Sequence, residues 1–178
     1  MTDRFPADPP SSFVVDASRR LRREWGGSPR ALDVAMGRGR HALALARMGW
    51  RVFGVDRRLD AVRTARDRAA ADGLVVRAWC GDLVAASLPS AAFELIVVTR
   101  YLQRDLFGAM RDAVVPGGVV VYETFTTHQR ALGFGPTSPD HLLEPGELRE
   151  RFQEFEILSY EEVRRTEAVA RLVARRRI

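Results

Sequence analysis

The chain has 178 residues, 46% of them apolar, and 28 basic against 23 acidic side chains give a net charge of +5. That length and apolar content suit one domain around one good core, and the lone cysteine, Cys80, excludes an intrachain disulfide and offers no zinc-ligand spacing, so no metal is expected. The opening residues lack the apolar stretch of a secretory signal and no apolar run reaches membrane-span length, so the expectation is a cytoplasmic protein without a membrane partner.

In chain order, "FPADPPSS" has little to bury, so residues 1–12 read as a flexible tail and 13–178 as a single domain. Phe13, Ala17, Leu21 and Trp25 recur every fourth residue with arginines on the other faces, which predicts an amphipathic helix stopped by Gly26 and Gly27. Short apolar runs then alternate with helical patterns. "ALDVA", "WRVFGVD", "LVVRAWC", "FELIVV" and "GVVVYETF" read as strands; "RHALALARM", "RLDAVRTARDRAAADG" and the stretch from Leu102 to Val114 read as helices. Repeated β-α-β units require right-handed crossovers and a parallel sheet covered on both faces. After Phe125 a long Gly/Pro/Thr-rich segment, "TTHQRALGFGPTSPDHLLEPG", exceeds an ordinary connection. A helix through "ELRERF" follows, and then "FEILSYEE" and "EAVARLVARR" form a hairpin around "VRRT".

The stretch "LDVAMGRGRHA" is compatible with two nucleotide-binding loops. Gly37 and Gly39 let backbone approach a ligand between a strand and a helix N-terminus. Asp33, at the strand end, repels a pyrophosphate but suits a ligand bearing an ammonium and a sulfonium; Arg38 and Arg40 weaken that discrimination. Asp56, at the end of the second strand, is placed to accept from both ribose hydroxyls of either adenosine cofactor. It equally serves as a helix N-cap. Asp82 in "CGDL" is placed to accept from an adenine amine, with Leu83 as an apolar wall, or is simply a turn aspartate.

Taken together, "LDVAMGRGR", "VFGVD", "CGDL", "FELIVVTRYL", "VPGGVVVYET" and the terminal hairpin resemble a class I S-adenosylmethionine-dependent methyltransferase, from about Arg30 to the end. "RYLQRDLF", "EPGELRERF" and "RRTEAVARLVARR" are similar to the small methyltransferases associated with tellurite resistance and related to thiopurine-type enzymes. The resemblance implies an α/β, Rossmann-like fold: a seven-stranded, mostly parallel sheet in the order 3-2-1-4-5-7-6, strand 7 antiparallel, with helices on both faces. It also implies that Asp33, Gly37, Gly39, Asp56 and Asp82 hold S-adenosylmethionine. Ala35, Arg40, Arg57, Leu83 and Thr99, on the same turns and strand ends, are counted with them. Ala35 stands where the first loop glycine is usual, and Glu94 where Asp is more common.

Methyl transfer from a sulfonium is an in-line displacement, so the protein must mainly align the nucleophile and exclude water. A neutral nucleophile also needs a base. "VVTRYLQR" lacks the N/D-P-P-Y/F motif of many amino-group methyltransferases. Arg100 and Tyr101 are expected at the acceptor, the first pairing an anion and the second walling the methyl site. Glu123 and His128 are the first candidates for a base, with His141 behind them. Arg164 and Arg165 are expected at the same rim, and the long loop is expected to form a lid plugged by Phe134. The expected acceptor is a small molecule with a heteroatom nucleophile, a thiol or a selenium or tellurium oxyanion. The basic charge is read as a solvated surface partly owed to coding bias, since every basic residue is arginine. Nucleic acid as a substrate, and a noncatalytic S-adenosylmethionine-binding role, are the rival readings.

Overall fold

The computed structural model describes residues 9–83 and 87–178. Helix α1 (Ser12–Arg22) leads into β1 (Arg30–Val34), α2 (Arg40–Arg47), β2 (Arg51–Asp56), α3 (Leu59–Ala71) and β3 (Val76–Cys80). The second half runs β4 (Phe93–Thr99), α4 (Leu106–Ala113), β5 (Val114–Phe125), α5 (Glu147–Arg151), β6 (Glu156–Arg164) and β7 (Ala168–Arg175). The seven strands lie in the order β3-β2-β1-β4-β5-β7-β6. The first five pair in parallel, while β7 runs antiparallel to both β5 and β6. This is the sheet that the resemblance implies.

Strands β1 and β4 are covered on both faces, and their alternation distributes side chains between two cores. Leu32, Val34, Ile96 and Val98 face the side of α4 and α5, where Phe107, Tyr122, Phe152 and Phe155 form an aromatic cluster. Ala31, Leu95 and Val97 face α1 and α2. The same period carries Asp33 and Thr99 to the α1/α2 face, so two polar side chains end neighbouring strands on one side of the sheet.

Three elements differ from the sequence reading. Of the expected tail, residues 1–8 lie outside the described residues; Ser12 already opens α1, and the Ser11 N–H donates to His41 Nε2 at 3.0 Å. The long Gly/Pro segment contains two 3₁₀ turns, Thr127–Leu132 and Pro139–His141. Gln129, fully buried, supplies what a strand ladder would: its Nε2 donates to Phe134 O at 3.0 Å and its Oε1 accepts from Ala168 N at 2.8 Å. The helix expected through "ELRERF" stops at Arg151, because Phe152 turns into the aromatic cluster.

Glu94 is a clasp at the base of the sheet. Its Oε2 accepts from the Arg30 backbone N–H at 2.5 Å and its Oε1 meets Arg30 Nη2 at 3.0 Å. Burial works against the charge, but the hydrogen bonds from Arg30 outweigh it and hold Glu94 below the usual carboxylate range. Its contribution is therefore present at neutral pH and is lost as acid protonates it. Glu94→Ala is expected to lower stability by about 1–2 kcal/mol at pH 7 in urea unfolding. The difference from the unaltered protein should shrink as the pH falls below the range in which Glu94 is charged.

Candidate active site

The site begins where β1 ends. Ala35 and Gly37 both take positive φ, 52° and 55°, and Gly39 follows at 80° before α2 starts. A Cβ on Gly39 would stand 2.8 Å from Ala65 Cβ, so only glycine lets α2 settle against α3. Around Gly37, by contrast, nothing lies within 4 Å of where a Cβ would be. One glycine is required for packing, the other leaves its backbone facing open space.

Asp56 binds this turn to the next one. Its Oδ2 accepts the Gly37 N–H at 2.8 Å and its Oδ1 the Arg58 N–H at 2.9 Å. Two backbone donors fix the carboxylate, and each oxygen keeps a further lone pair for a ligand hydroxyl. The N-cap position of α3 falls to Arg58, so Asp56 is not the cap expected from sequence but a brace two residues ahead of it.

Asp33 is only 1% exposed, and neither of its oxygens has a hydrogen-bond partner among the described residues. Burial raises its pKa to about 7, against the Ala42 amide and the Arg40 charge, which favour ionisation. A buried carboxylate without partners is costly in isolation. A cationic ligand group at the strand ends would relieve it.

A cavity of about 480 Å³ opens at the carboxyl ends of the strands. Ala35, Asp56, Arg57, Arg58, Gly81, Asp82 and Leu83 line it from the turns after β1, β2 and β3, and Arg100, Tyr101, Leu102, Phe125, Pro136 and His141 from the second half of the chain. The structure therefore brings Ala35, Asp56, Arg57, Asp82, Leu83, Arg100 and Tyr101 together as cavity wall. Asp33, Gly37, Gly39, Arg40 and Thr99 are not in that wall; they belong to the turn and strand ends behind it. Thr99 is buried and bonded through Oγ1 to His41 Nδ1 at 3.1 Å.

At the acceptor end, Arg100 holds φ of 50°, an uncommon conformation for a residue with a side chain. Its Nη2 meets Glu167 Oε1 at 2.7 Å, its guanidinium lies 5.8 Å from the centroid of the Phe125 ring, and its N–H donates to Glu123 O at 2.9 Å. Tyr101 hydrogen-bonds Gln103 and is steadied from below by Tyr122, whose hydroxyl donates to the Tyr101 carbonyl at 2.8 Å. Burial, then the charge of Asp82, raises the Tyr101 pKa above its ordinary value.

Several expected positions fall elsewhere. Glu123 lies on the α1 side of the sheet, where Arg171 Nε meets its Oε2 at 2.6 Å, so it is ion-paired away from the cavity. His128 is half-buried on the first 3₁₀ turn, outside the cavity wall, and His141 on the second turn is the histidine that reaches it. Phe134 is 51% exposed, and Pro136 takes the lining position instead. At the hairpin tip Arg164 and Arg165 point to solvent, and Glu167 is the side chain that turns toward the site, through Arg100. His41, Phe125, Pro136 and Glu167 were missed. A buried histidine just after the glycine turn carries no sequence signal of its own, whereas Phe125 was legible as the last residue of β5.

A glycine turn after β1, acidic strand ends on β1 and β2, and a hairpin inserted so that β7 is antiparallel define the fold of class I S-adenosylmethionine-dependent methyltransferases. Residues 31–118 match the family model described as a methyltransferase domain, and the sheet order agrees with that match. S-adenosylmethionine is the cofactor of that class, and the orphaned Asp33 carboxylate and the open backbone at Gly37 fit it. The fold is shared with TehB from Haemophilus influenzae, at 20% identity and a TM-score of 0.75 over 94% of this chain and 63% of that one. An S-adenosylmethionine-dependent methyltransferase from Clostridium acetobutylicum superposes with a TM-score of 0.76 at 14% identity, covering 97% of this chain and 94% of its own. In sequence, 70 residues are 41% identical to protein-L-isoaspartate O-methyltransferase from Methylorubrum populi, which is 39% of this chain and 33% of that protein. The chain thus spans a third of that curated relative and less than two thirds of TehB.

The buried Asp33 gives a pH test. A carboxyl whose folded pKa is raised loses stability as the pH rises from the unfolded value through the folded one. Asp33→Asn is therefore expected to unfold like the unaltered protein near pH 4 and to be more stable by about 1–3 kcal/mol at pH 8. Urea titrations at several pH values would check this; a variant less stable at pH 8 than at pH 4, relative to the parent, would contradict it.

Proposed function

We propose that the protein transfers the methyl group of S-adenosylmethionine to a small heteroatom nucleophile. The observation that carries this reading is one cavity at the strand ends lined both by the carboxylates Asp56 and Asp82 and by Arg100, Tyr101 and His141. In this reading Asp56 accepts the ribose hydroxyls, Asp82 with Leu83 and Gly81 takes the adenine, and Asp33 balances the cationic amino-acid end. The bound cofactor supplies an electrophilic methyl group on a good leaving group. The chain's own work is then to orient and to exclude water, which the Phe125 and Pro136 wall favours.

The acceptor end favours a small anion or an acidic thiol. Arg100 offers a guanidinium directed across the Phe125 ring, and an anionic nucleophile requires no base. For a neutral thiol, His141 is the side chain in the wall that offers a ring nitrogen to take the proton. Selenium and tellurium oxyanions are the first acceptors to try, given the likeness to TehB, together with aromatic and aliphatic thiols. Among the described residues no helix is long and apolar enough to cross a membrane.

Calorimetric titration with S-adenosylmethionine, S-adenosylhomocysteine and NAD tests the donor. Binding of both sulfur ligands is expected, weakened on the order of a hundredfold in a folded Asp56→Ala variant through loss of two charge-assisted hydrogen bonds. NAD binding alone would sink the reading. Arg100→Leu is expected to raise KM for an anionic acceptor about tenfold while leaving kcat for a neutral thiol within about twofold. Steady-state methylation of the two acceptor types would read this.

A further inference from the structure

His41 is the second residue of α2, 2% exposed, and both of its ring nitrogens are engaged. Nε2 accepts the Ser11 backbone N–H at 3.0 Å and so carries no hydrogen. Burial first, then the charges of Arg40 and Arg100, push its pKa down to about 3, which keeps the ring neutral. A neutral imidazole has one N–H, here on Nδ1, and it must donate to Thr99 Oγ1 at 3.1 Å. The chain of bonds has a direction: Ser11 donates to His41 and His41 donates to Thr99. The Thr99 hydroxyl hydrogen is then left over, and the described residues offer it no acceptor.

The position of that hydrogen matters. Thr99 ends β4 beside β1, where Val34 pairs with Val98, and it shares a sheet face with Asp33. The next residue, Arg100, turns into the cavity at positive φ. Among the described residues Asp33 is an acceptor, and the Thr99 hydroxyl hydrogen a donor, without a hydrogen-bond partner. A zwitterionic amino-acid group complements the two.

We infer that Thr99, oriented by His41, donates its hydroxyl hydrogen to the carboxylate at the amino-acid end of the methyl donor, and that His41 thereby couples donor binding to the segment ahead of α1. The inference rests on the donor reading above. His41 is a positioning residue: it touches Thr99 and Ser11, not the ligand. Arg40 adds a weaker tie to the same segment, from Nη1 to Pro9 O at 3.4 Å. The N-terminal segment thus belongs to the donor site through a backbone N–H rather than a side chain, which explains why composition alone read it as a tail.

Two ligands and three variants test this. S-adenosylhomocysteine carries the amino-acid end; 5′-methylthioadenosine keeps the adenosine and thioether but lacks it. Thr99→Val removes the hydroxyl, and Thr99→Ser restores it. Ser11→Pro deletes only the backbone donor to His41: Ser11 already has φ of −57°, its side chain makes no cap bond, and its carbonyl still accepts from Val15. In calorimetric titrations Thr99→Val is expected to weaken S-adenosylhomocysteine about tenfold and Ser11→Pro about threefold. Both should leave 5′-methylthioadenosine within about twofold, and Thr99→Ser should bind both ligands like the parent. Equal weakening of the two ligands would mean a merely structural role and would overturn the inference, as would no change in either. Failure of the unaltered protein to bind either ligand would instead remove the donor reading itself, and this inference with it.

Discussion

The carboxylate of Asp56 is the joint on which the site depends. Its two oxygens take the backbone N–H groups of Gly37 and Arg58, so the turn after β1 and the turn after β2 are fixed relative to each other by one side chain. Neither turn has regular structure to hold it, and both supply cavity wall. The same packing that admits Gly39 against Ala65 brings α2 and α3 together beneath them. Adjacent parallel strands end level, helices return on either side, and a carboxylate between the turns converts that junction into a rigid floor for a ligand.

Above this floor the fold accepts charges that do not help it stand. Asp33 is buried without hydrogen-bond partners among the described residues, and Arg100 holds a backbone conformation that favours glycine. Both lie at the ends of central strands, where the rest of the sheet is apolar and well packed and can tolerate local penalties. Glu94, at the opposite end, shows the contrasting arrangement: a carboxylate with backbone and guanidinium donors in place, serving the fold alone. The asymmetry between the two ends of one sheet separates positions suited to a ligand from positions that only support.

The strands and the residues at their ends that reach the cavity were legible because they follow from local rules, while the sheet order came with the family resemblance. Strand alternation, glycine at positive φ, and an acidic residue at each of three strand ends can be read one segment at a time. The acceptor half was not, because it is assembled from segments far apart in sequence. Glu123 read as a rim residue, yet the pleat turns it to the α1 side, where Arg171 on the neighbouring strand neutralises it. His128 ranked ahead of His141 as a loop histidine, and the folded path of that segment reverses the order, with His141 in the cavity wall and His128 outside it. His41 looked like one more residue of an amphipathic helix, and only burial against Thr99 and Ser11 gives it a role. Where a side chain's meaning lies in its partner, periodicity cannot supply it.

Gln129 carries one more consequence. By bonding the carbonyl of Phe134 and the amide of Ala168, it joins the loop that presents Pro136 and His141 to the hairpin whose Glu167 grips Arg100. These segments lie together in the last third of the chain, after the glycine turn and the acidic strand ends, whereas Arg100, Tyr101 and Leu102 reach the same wall from the end of β4. A change of loop or hairpin can therefore reshape this side of the cavity without touching the turns that Asp56 joins, and the buried amide of Gln129 is the register mark that keeps loop and hairpin together.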